Sequence, residues 1–281
     1  MSGPEALAAL PPLREVIRAH GLDARKSLGQ NFILDGNILA KIVRAAGDLE
    51  DRHVLEIGPG PGGLTRAILA AGAARLTAIE RDRRCIDALQ ELHAAAGGRL
   101  ALIEADALRW QPAPGERLTV IANLPYNIAT PLLFGWLDRL EHFERFILMF
   151  QKEVALRLTA SVGSADYGRL AVKTQWLCQA RRLFDLPPSA FVPPPKVTSS
   201  VVELVPRAEP LAQARVQDLD RVTAAAFNQR RKMLRTSLKA ITPDPLGLCA
   251  AASLDPSERP ERVPIAGFCA LARALALKGT G

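Results

Sequence analysis

Apolar and polar residues change rhythm several times along the chain. Between residues 53 and about 150, short apolar runs at Val54–Ile57, Leu76–Ile79, Leu100–Ile103, Leu118–Ala122 and Phe146–Phe150 read as buried strands. Helical spacing separates them, as in Arg83–Ala95 and Pro131–Leu140. Strand and helix in alternation predict a parallel sheet with helices on both faces, and such sheets bind ligands beyond the carboxyl ends of their strands. Upstream, residues 4–20 read as an amphipathic helix carrying Leu10, Leu13, Val16 and Ile17 on one side. Downstream, Lys152–Ala160 reads as a helix, and Arg169–Cys178 and Val197–Val205 read as a terminal antiparallel pair of strands.

After the linker-like Pro206–Pro210 the pattern turns helical. Phe227, Leu234, Leu238 and Ile241 fall on one helix face, and Gly267–Leu277 forms a closing helix. The expected fold class is therefore α/β: a Rossmann-like sheet, mostly parallel with one antiparallel strand, followed by a small all-α domain. The expected boundaries are residues 1–208, with 1–50 as N-terminal helices and a capping loop, and 209–281.

Composition narrows the class. The 281 residues carry a net charge of +7, which leans toward an anionic partner, nucleic acid first. Cys85, Cys178, Cys249 and Cys269 are far apart, as are His20, His53, His93 and His142. Neither a metal site nor a disulfide framework is expected; the cysteines read as buried apolar residues in a reducing, cytoplasmic setting. No signal peptide pattern opens the chain. Leu118–Leu137 is uncharged but contains Asn123, Pro125, Asn127 and Pro131, so it is expected to be a strand, a polar loop and a core helix rather than a membrane span. Without a heptad repeat or a long apolar surface stripe, a monomer is expected.

The candidate chemistry begins at His53–Thr65. The apolar strand Val54–Ile57 runs into Gly58, Gly60, Gly62 and Gly63, and a helical pattern starts near Leu64. Glycines let the backbone approach a ligand, and the freed N–H groups of the turn and helix start face it. Two templates fit. Gly58-x-Gly60-x-x-Gly63, with Glu80 about 20 residues on, satisfies a dinucleotide fingerprint. Glu56-x-Gly58-x-Gly60-x-Gly62 also looks like the first motif of S-adenosylmethionine (SAM) methyltransferases.

Later strand ends discriminate. Glu80 ends the second strand, where a carboxylate suits a ribose diol. Asp106 follows the third, placed to accept from an adenine amine. Asn123-Leu124-Pro125-Tyr126 follows the fourth. An exocyclic adenine amine is a poor nucleophile because its lone pair is delocalised into the ring. Two acceptors on its hydrogens would favour a tetrahedral nitrogen; the Asn123 amide oxygen and the Pro125 carbonyl can supply them, and Tyr126 can stack on the base. The methyl donor is already activated, so positioning carries the rate.

Asn123–Tyr126, preceded by Glu56–Gly62, Glu80 and Asp106, resembles the motifs of adenine-N6 methyltransferases. Lys26-Ser27-Leu28-Gly29-Gln30-Asn31-Phe32 narrows the likeness to the ribosomal RNA small-subunit adenine N6,N6-dimethyltransferases, the KsgA/RsmA family, over about Arg25 to Leu238. The resemblance implies a class I SAM methyltransferase fold, SAM as cofactor with S-adenosylhomocysteine as product, and no metal. It implies dimethylation of two adjacent adenosines in the 3′-terminal hairpin of 16S rRNA on a pre-ribosomal small subunit. It assigns cofactor contacts to Asn31 and Ile33, the latter position more often Leu in the family. It also matches Phe191, in the proline-rich Leu186–Lys196 loop, to a phenylalanine that sandwiches a flipped base against the tyrosine; a core anchor is the other reading of Phe191.

Arg230, Arg231, Lys232, Arg235 and Lys239 form a cluster of one sign without an acid among them, which favours phosphate contact, and the family carries Arg-Arg-Lys here. Three alternatives stay open: a nicotinamide dehydrogenase using the same glycine turn, a large-subunit rRNA methyltransferase of the macrolide-resistance type, and a non-catalytic assembly factor with the same fold.

Overall fold

The structure, a computed structural model, describes residues 4–22 and 31–278. Positions 25–30 of the Arg25–Phe32 stretch lie outside the described residues. Two short helices, α1 (Pro4–Ala8) and α2 (Leu13–Ala19), open the chain where one was expected. Pro11 and Pro12 divide them, because proline supplies no N–H and pushes the residue before it out of the helical region. Strand β1 (Phe32–Ile33) and helix α3 (Gly36–Arg44) follow. Asp35 caps α3, its carboxylate accepting from the Asn37 and Ile38 amides.

The alternating region contains β2 (His53–Ile57), α4 (Gly63–Ala70), β3 (Arg75–Glu80), α5 (Arg83–Ala88), α6 (Gln90–Ala95), β4 (Leu100–Glu104), β5 (Leu118–Asn123), α7 (Tyr126–Leu137) and β6 (Phe143–Gln151). Next come α8 (Lys152–Leu158), α9 (Arg169–Leu177), β7 (Cys178–Leu186), β8 (Phe191–Val192) and β9 (Ser199–Pro206). Seven strands form one sheet in the order β4-β3-β2-β5-β6-β9-β7. β4 through β6 pair in parallel, and β9 runs antiparallel to β6 with Gln151 opposite Ser199. The chain winds outward from β2 in one direction and from β5 in the other. Their carboxyl ends therefore border the crevice where the strand order reverses. A separate two-stranded ladder pairs Phe32 with Val192 and Ile33 with Phe191.

The expected strand Arg169–Cys178 is helix α9. Leu170–Thr174, Trp176 and Leu177 are all buried, so burial on nearly every side erased the helical period that the sequence would have shown. The strand begins where the helix stops, at Cys178.

The chain divides into two compact units, Met1–Lys152 with Arg182–Val205, and Glu153–Arg181 with Pro206–Gly281. Residues 153–181 thus join the C-terminal helices, whereas the sequence placed all of 1–208 together. In the first unit Val54, Ile121, Ile147 and Val201 from four strands meet Leu39, Ile42 and Ile68 from α3 and α4. The second unit packs α9 against α10 (Val216–Asn228) and α13 (Ile265–Lys278), with α11 (Leu234–Ser237) and α12 (Pro245–Ala251) beside them. The Phe227 ring lies between those of Tyr167 and Phe268, and Lys173 reaches Asp220 at 2.9 Å. The face expected to run through Phe227, Leu234, Leu238 and Ile241 is not one helix. α10 ends at Asn228 and α11 starts at Leu234, so these residues do not share one helix.

Candidate active site

A cleft enclosing about 1140 Å³, its mouth included, opens at the carboxyl ends of β2, β3 and β5. Its lining contains Asn31, Ile33, Glu56, Gly58, Gly60, Glu80, Asp106, Asn123, Pro125 and Tyr126. These are all of the residues that the sequence assigned to the cofactor or the reaction except Phe191, which does not line the cleft.

The glycine turn is shaped by its neighbours. Gly60 has φ +56°, and a Cβ there would come within 2.9 Å of the Phe32 ring. Gly62 has φ +92°, and a Cβ would meet Leu89 Cδ2 at 2.7 Å. Only glycine accommodates both the backbone conformation and the close approach. Glu80 clamps this turn from the next strand. Its Oε2 accepts from the Gly60 amide at 3.2 Å, and its Oε1 accepts from the Arg81 and Asp82 amides at 2.8 and 2.9 Å. Burial pushes the Glu80 carboxyl above the usual range, against the pull of these three donors.

Glu56 lies on β2 and is 1% exposed. Burial raises its carboxyl to about 8; the Thr65 hydroxyl opposes the rise and the Glu80 charge adds to it. Among the described residues, its Oε2 is buried with no hydrogen-bond partner. A buried orphan of this kind costs free energy until a donor or cation reaches it. Asp106, half-buried beyond β4, accepts from the Leu108 amide at 3.0 Å.

On the other side of the cleft, Asn123 ends β5. Its Nδ2 donates to the Asn31 carbonyl at 3.0 Å, which leaves Oδ1 as the acceptor. Pro125 corrects an expectation. Its carbonyl already accepts the Ile128 and Ala129 amides at 3.0 and 3.1 Å, because Pro125 is the N-cap of α7. Among the described residues no backbone N–H donates to the Leu124 carbonyl, one residue earlier, and Leu124 lines the cleft. Tyr126 begins α7, and its hydroxyl lies 2.6 Å from Ser199 Oγ at the start of β9. Burial raises the Tyr126 phenol and the Ser199 hydrogen bond opposes the rise.

Phe191 is 2% exposed and packs in the core with Leu186 and Val201. The anchor reading describes its place; no ring face is open for stacking. Ser199 was missed by sequence reasoning, and Phe32 stood in the N-terminal motif without a role of its own. Phe32 follows Asn31 directly, so its neighbourhood was a usable signal, whereas nothing local marks Ser199.

Within the second unit the basic cluster divides. Arg230 is half-buried and donates to the Ser164 carbonyl at 3.3 Å and to the Ala165 carbonyl. Arg231, Lys232, Arg235 and Lys239 are exposed. Asp255, distant in sequence, lies close enough to Arg235 for that charge to help hold its carboxyl below the usual range, after two hydrogen bonds from Ser257. All four cysteines are buried and free. Among the described residues no group of His, Cys, Asp and Glu could hold a metal ion, and no helix is long and apolar enough to cross a membrane.

Strand order, glycine turn and carboxylates at successive strand ends together define a class I methyltransferase domain. The chain belongs to the ribosomal RNA adenine dimethylase family, whose model matches residues 21–276. It is 60% identical to Ribosomal RNA small subunit methyltransferase A of Rhodospirillum rubrum, over the whole of both chains. It is 58% identical to the protein of that name from Azorhizobium caulinodans, over 96% of this chain and 94% of the relative. Among solved structures it resembles a dimethyladenosine transferase from Plasmodium falciparum, with TM-score 0.75, 27% identity, and 88% of this chain and 98% of that one covered. The 23S rRNA methyltransferase ErmE follows at TM-score 0.69 and 26% identity, over 88% of this chain and all of the other.

Proposed function

We propose that the protein transfers methyl groups from SAM to N6 of two adjacent adenosines in the 3′-terminal hairpin of small-subunit rRNA, twice on each. The anchored amide of Asn123 carries this reading: its nitrogen is occupied by Asn31 and its oxygen remains to accept from a substrate amine.

The cleft fits SAM in charge as well as shape. Glu56 presents a buried carboxyl oxygen with no partner among the described residues, and a cationic ligand would give it one. An anionic pyrophosphate on the same turn would instead meet Glu56, which argues against a nicotinamide dinucleotide. Glu80 would accept from ribose hydroxyls and Asp106 from the cofactor's adenine amine, with the Asn31–Ile33 backbone completing the wall. When bound, SAM supplies a methyl group on a sulfonium, already electrophilic.

The chain's own residues then prepare the nucleophile. Asn123 Oδ1 and the Leu124 carbonyl accept the two amine hydrogens, which withdraws the nitrogen lone pair from the ring and directs it toward the donor. Tyr126 stacks on the base, which leaves its helix at a cost of roughly a few kcal/mol. Exposed Arg231, Lys232 and Arg235 hold RNA through its phosphates.

Relatives at 58–60% identity carry the small-subunit name, and this supports that substrate over the large-subunit one of ErmE. The test is methyl transfer from labelled SAM to small ribosomal subunits lacking the modification, followed by nucleoside analysis. N6,N6-dimethyladenosine in small-subunit RNA is the expected product. Label confined to large-subunit RNA would move the substrate. SAM binding without transfer to either would leave an assembly factor.

A further inference from the structure

We infer that Ser199 is a positioning residue for methyl transfer, holding the Tyr126 ring at the orientation in which it stacks on the target base. The inference rests on the proposed role of Tyr126 and adds a residue that acts through it.

The sheet topology brings the two hydroxyls together. β5 and β6 run parallel and deliver their last residues, Asn123 and Gln151, to the cleft edge. β9 is antiparallel to β6, so it delivers its first residue to that edge, with Ser199 opposite Gln151. Ser199 is fully buried, and its hydroxyl meets the half-buried phenol of Tyr126 at 2.6 Å. That distance is within the range of an O–H···O hydrogen bond. The next residue, Ser200, bonds instead to Asp185 at 2.7 Å, and Asp185 is held by Lys152 at 2.8 Å and Arg182 at 2.6 Å. The start of β9 is thus secured independently of the tyrosine. A serine on a fixed strand ties down the free end of a ring whose other end is fixed by the first turn of α7. Both ends of the ring axis are then set before substrate arrives, which is the preorganisation that a stacking platform needs.

The test compares Ser199→Ala, Tyr126→Phe and the double variant in single-turnover methylation of unmodified small subunits at saturating SAM. Each single variant is expected to slow transfer roughly fivefold, the scale of one neutral hydrogen bond. The double variant is expected to be no slower than either, because both remove the same interaction. SAM affinity stays at the wild-type value, and melting temperature falls by no more than the few degrees that one neutral hydrogen bond is worth. The chain has only two tyrosines, Tyr126 and Tyr167, so Tyr126 Cζ can be followed by NMR. Its resonance shifts in Ser199→Ala while that of Tyr167 does not.

A wild-type rate for Ser199→Ala would overturn the proposal. So would a roughly 25-fold loss in the double variant, the product of two independent fivefold effects. Loss of SAM affinity, or a fall in melting temperature well beyond those few degrees, in Ser199→Ala would make the serine a fold residue and would equally overturn it. Failure of the wild-type protein itself to methylate would overturn the underlying function reading, a result the variants cannot mimic.

Discussion

The Asn123 side chain is oriented by a carbonyl 92 positions away: Nδ2 donates to the Asn31 oxygen at 3.0 Å. One hydrogen bond thereby decides which amide atom is left to face the cleft. On the proposed function, Asn123→Ala removes the acceptor at the reacting nitrogen and is expected to lower the single-turnover rate by about a hundredfold or more. Asn123→Asp is also expected to fail, because a carboxylate cannot donate to Asn31 and the two acceptors repel. Methyl transfer at saturating SAM measures both; a rate within a few-fold of wild type for either would remove Asn123 from the chemistry.

Glu80 serves the glycine turn before it serves any ligand. Replacing it with alanine orphans the Gly60, Arg81 and Asp82 amides. SAM affinity is expected to fall at least about tenfold and thermal stability to drop, with Glu80→Gln between the two because one carbonyl oxygen survives. Calorimetric titration with SAM and with S-adenosylhomocysteine checks this.

Glu56 makes stability and cofactor binding depend on pH. Its folded pKa, about 8, lies above that of an unfolded glutamate. Between those values the folded state holds a proton that the unfolded state has released, so stability falls as pH rises through that window. The ligand-free protein is therefore expected to lose melting temperature relative to Glu56→Gln as pH rises from about 5 to about 8. If the cationic end of SAM becomes the missing partner, binding at pH 7 releases about one proton from Glu56. Titrations in buffers of different ionisation enthalpy would detect that release, and Glu56→Gln should abolish it.

The basic cluster should divide by function. Arg231→Glu with Lys232→Glu is expected to weaken binding to small-subunit RNA and flatten its salt dependence, by about 0.7–0.9 in log–log slope for each phosphate no longer neutralised. Arg230→Ala removes the tie to the Ser164 and Ala165 carbonyls, so its expected effect is a lower melting temperature with a nearly unchanged slope. Salt-dependent filter binding and thermal denaturation separate the two.

Much of the cleft was legible in the sequence because it is built from strand ends. A strand that stops and a polar residue that follows it are local events, so Gly58, Gly60, Glu80, Asp106 and Asn123 could be placed at one edge from the chain's own pattern. The orientation of each group was not legible. Whether the Pro125 or the Leu124 carbonyl is free depends on where α7 takes its first hydrogen bonds, a matter of one residue in a helix boundary. Phe191 could have been a platform or an anchor until its burial was seen. α9 was read as a strand because a helix buried on nearly every side shows little period.

The sequence by itself determined the α/β alternation, the glycine turn and the residue types at the strand ends, because strand, turn and helix preferences act between near neighbours. Only the tertiary structure decided that Asn31 orients Asn123, that Glu80 clamps Gly60, that Ser199 meets Tyr126, and that Arg230 is engaged with backbone carbonyls while its neighbours are exposed. Each of these joins residues that are remote in the chain. Such pairings exist only after sheet order and strand direction are set, and here a single antiparallel strand is what carries Ser199 to the edge where Tyr126 waits.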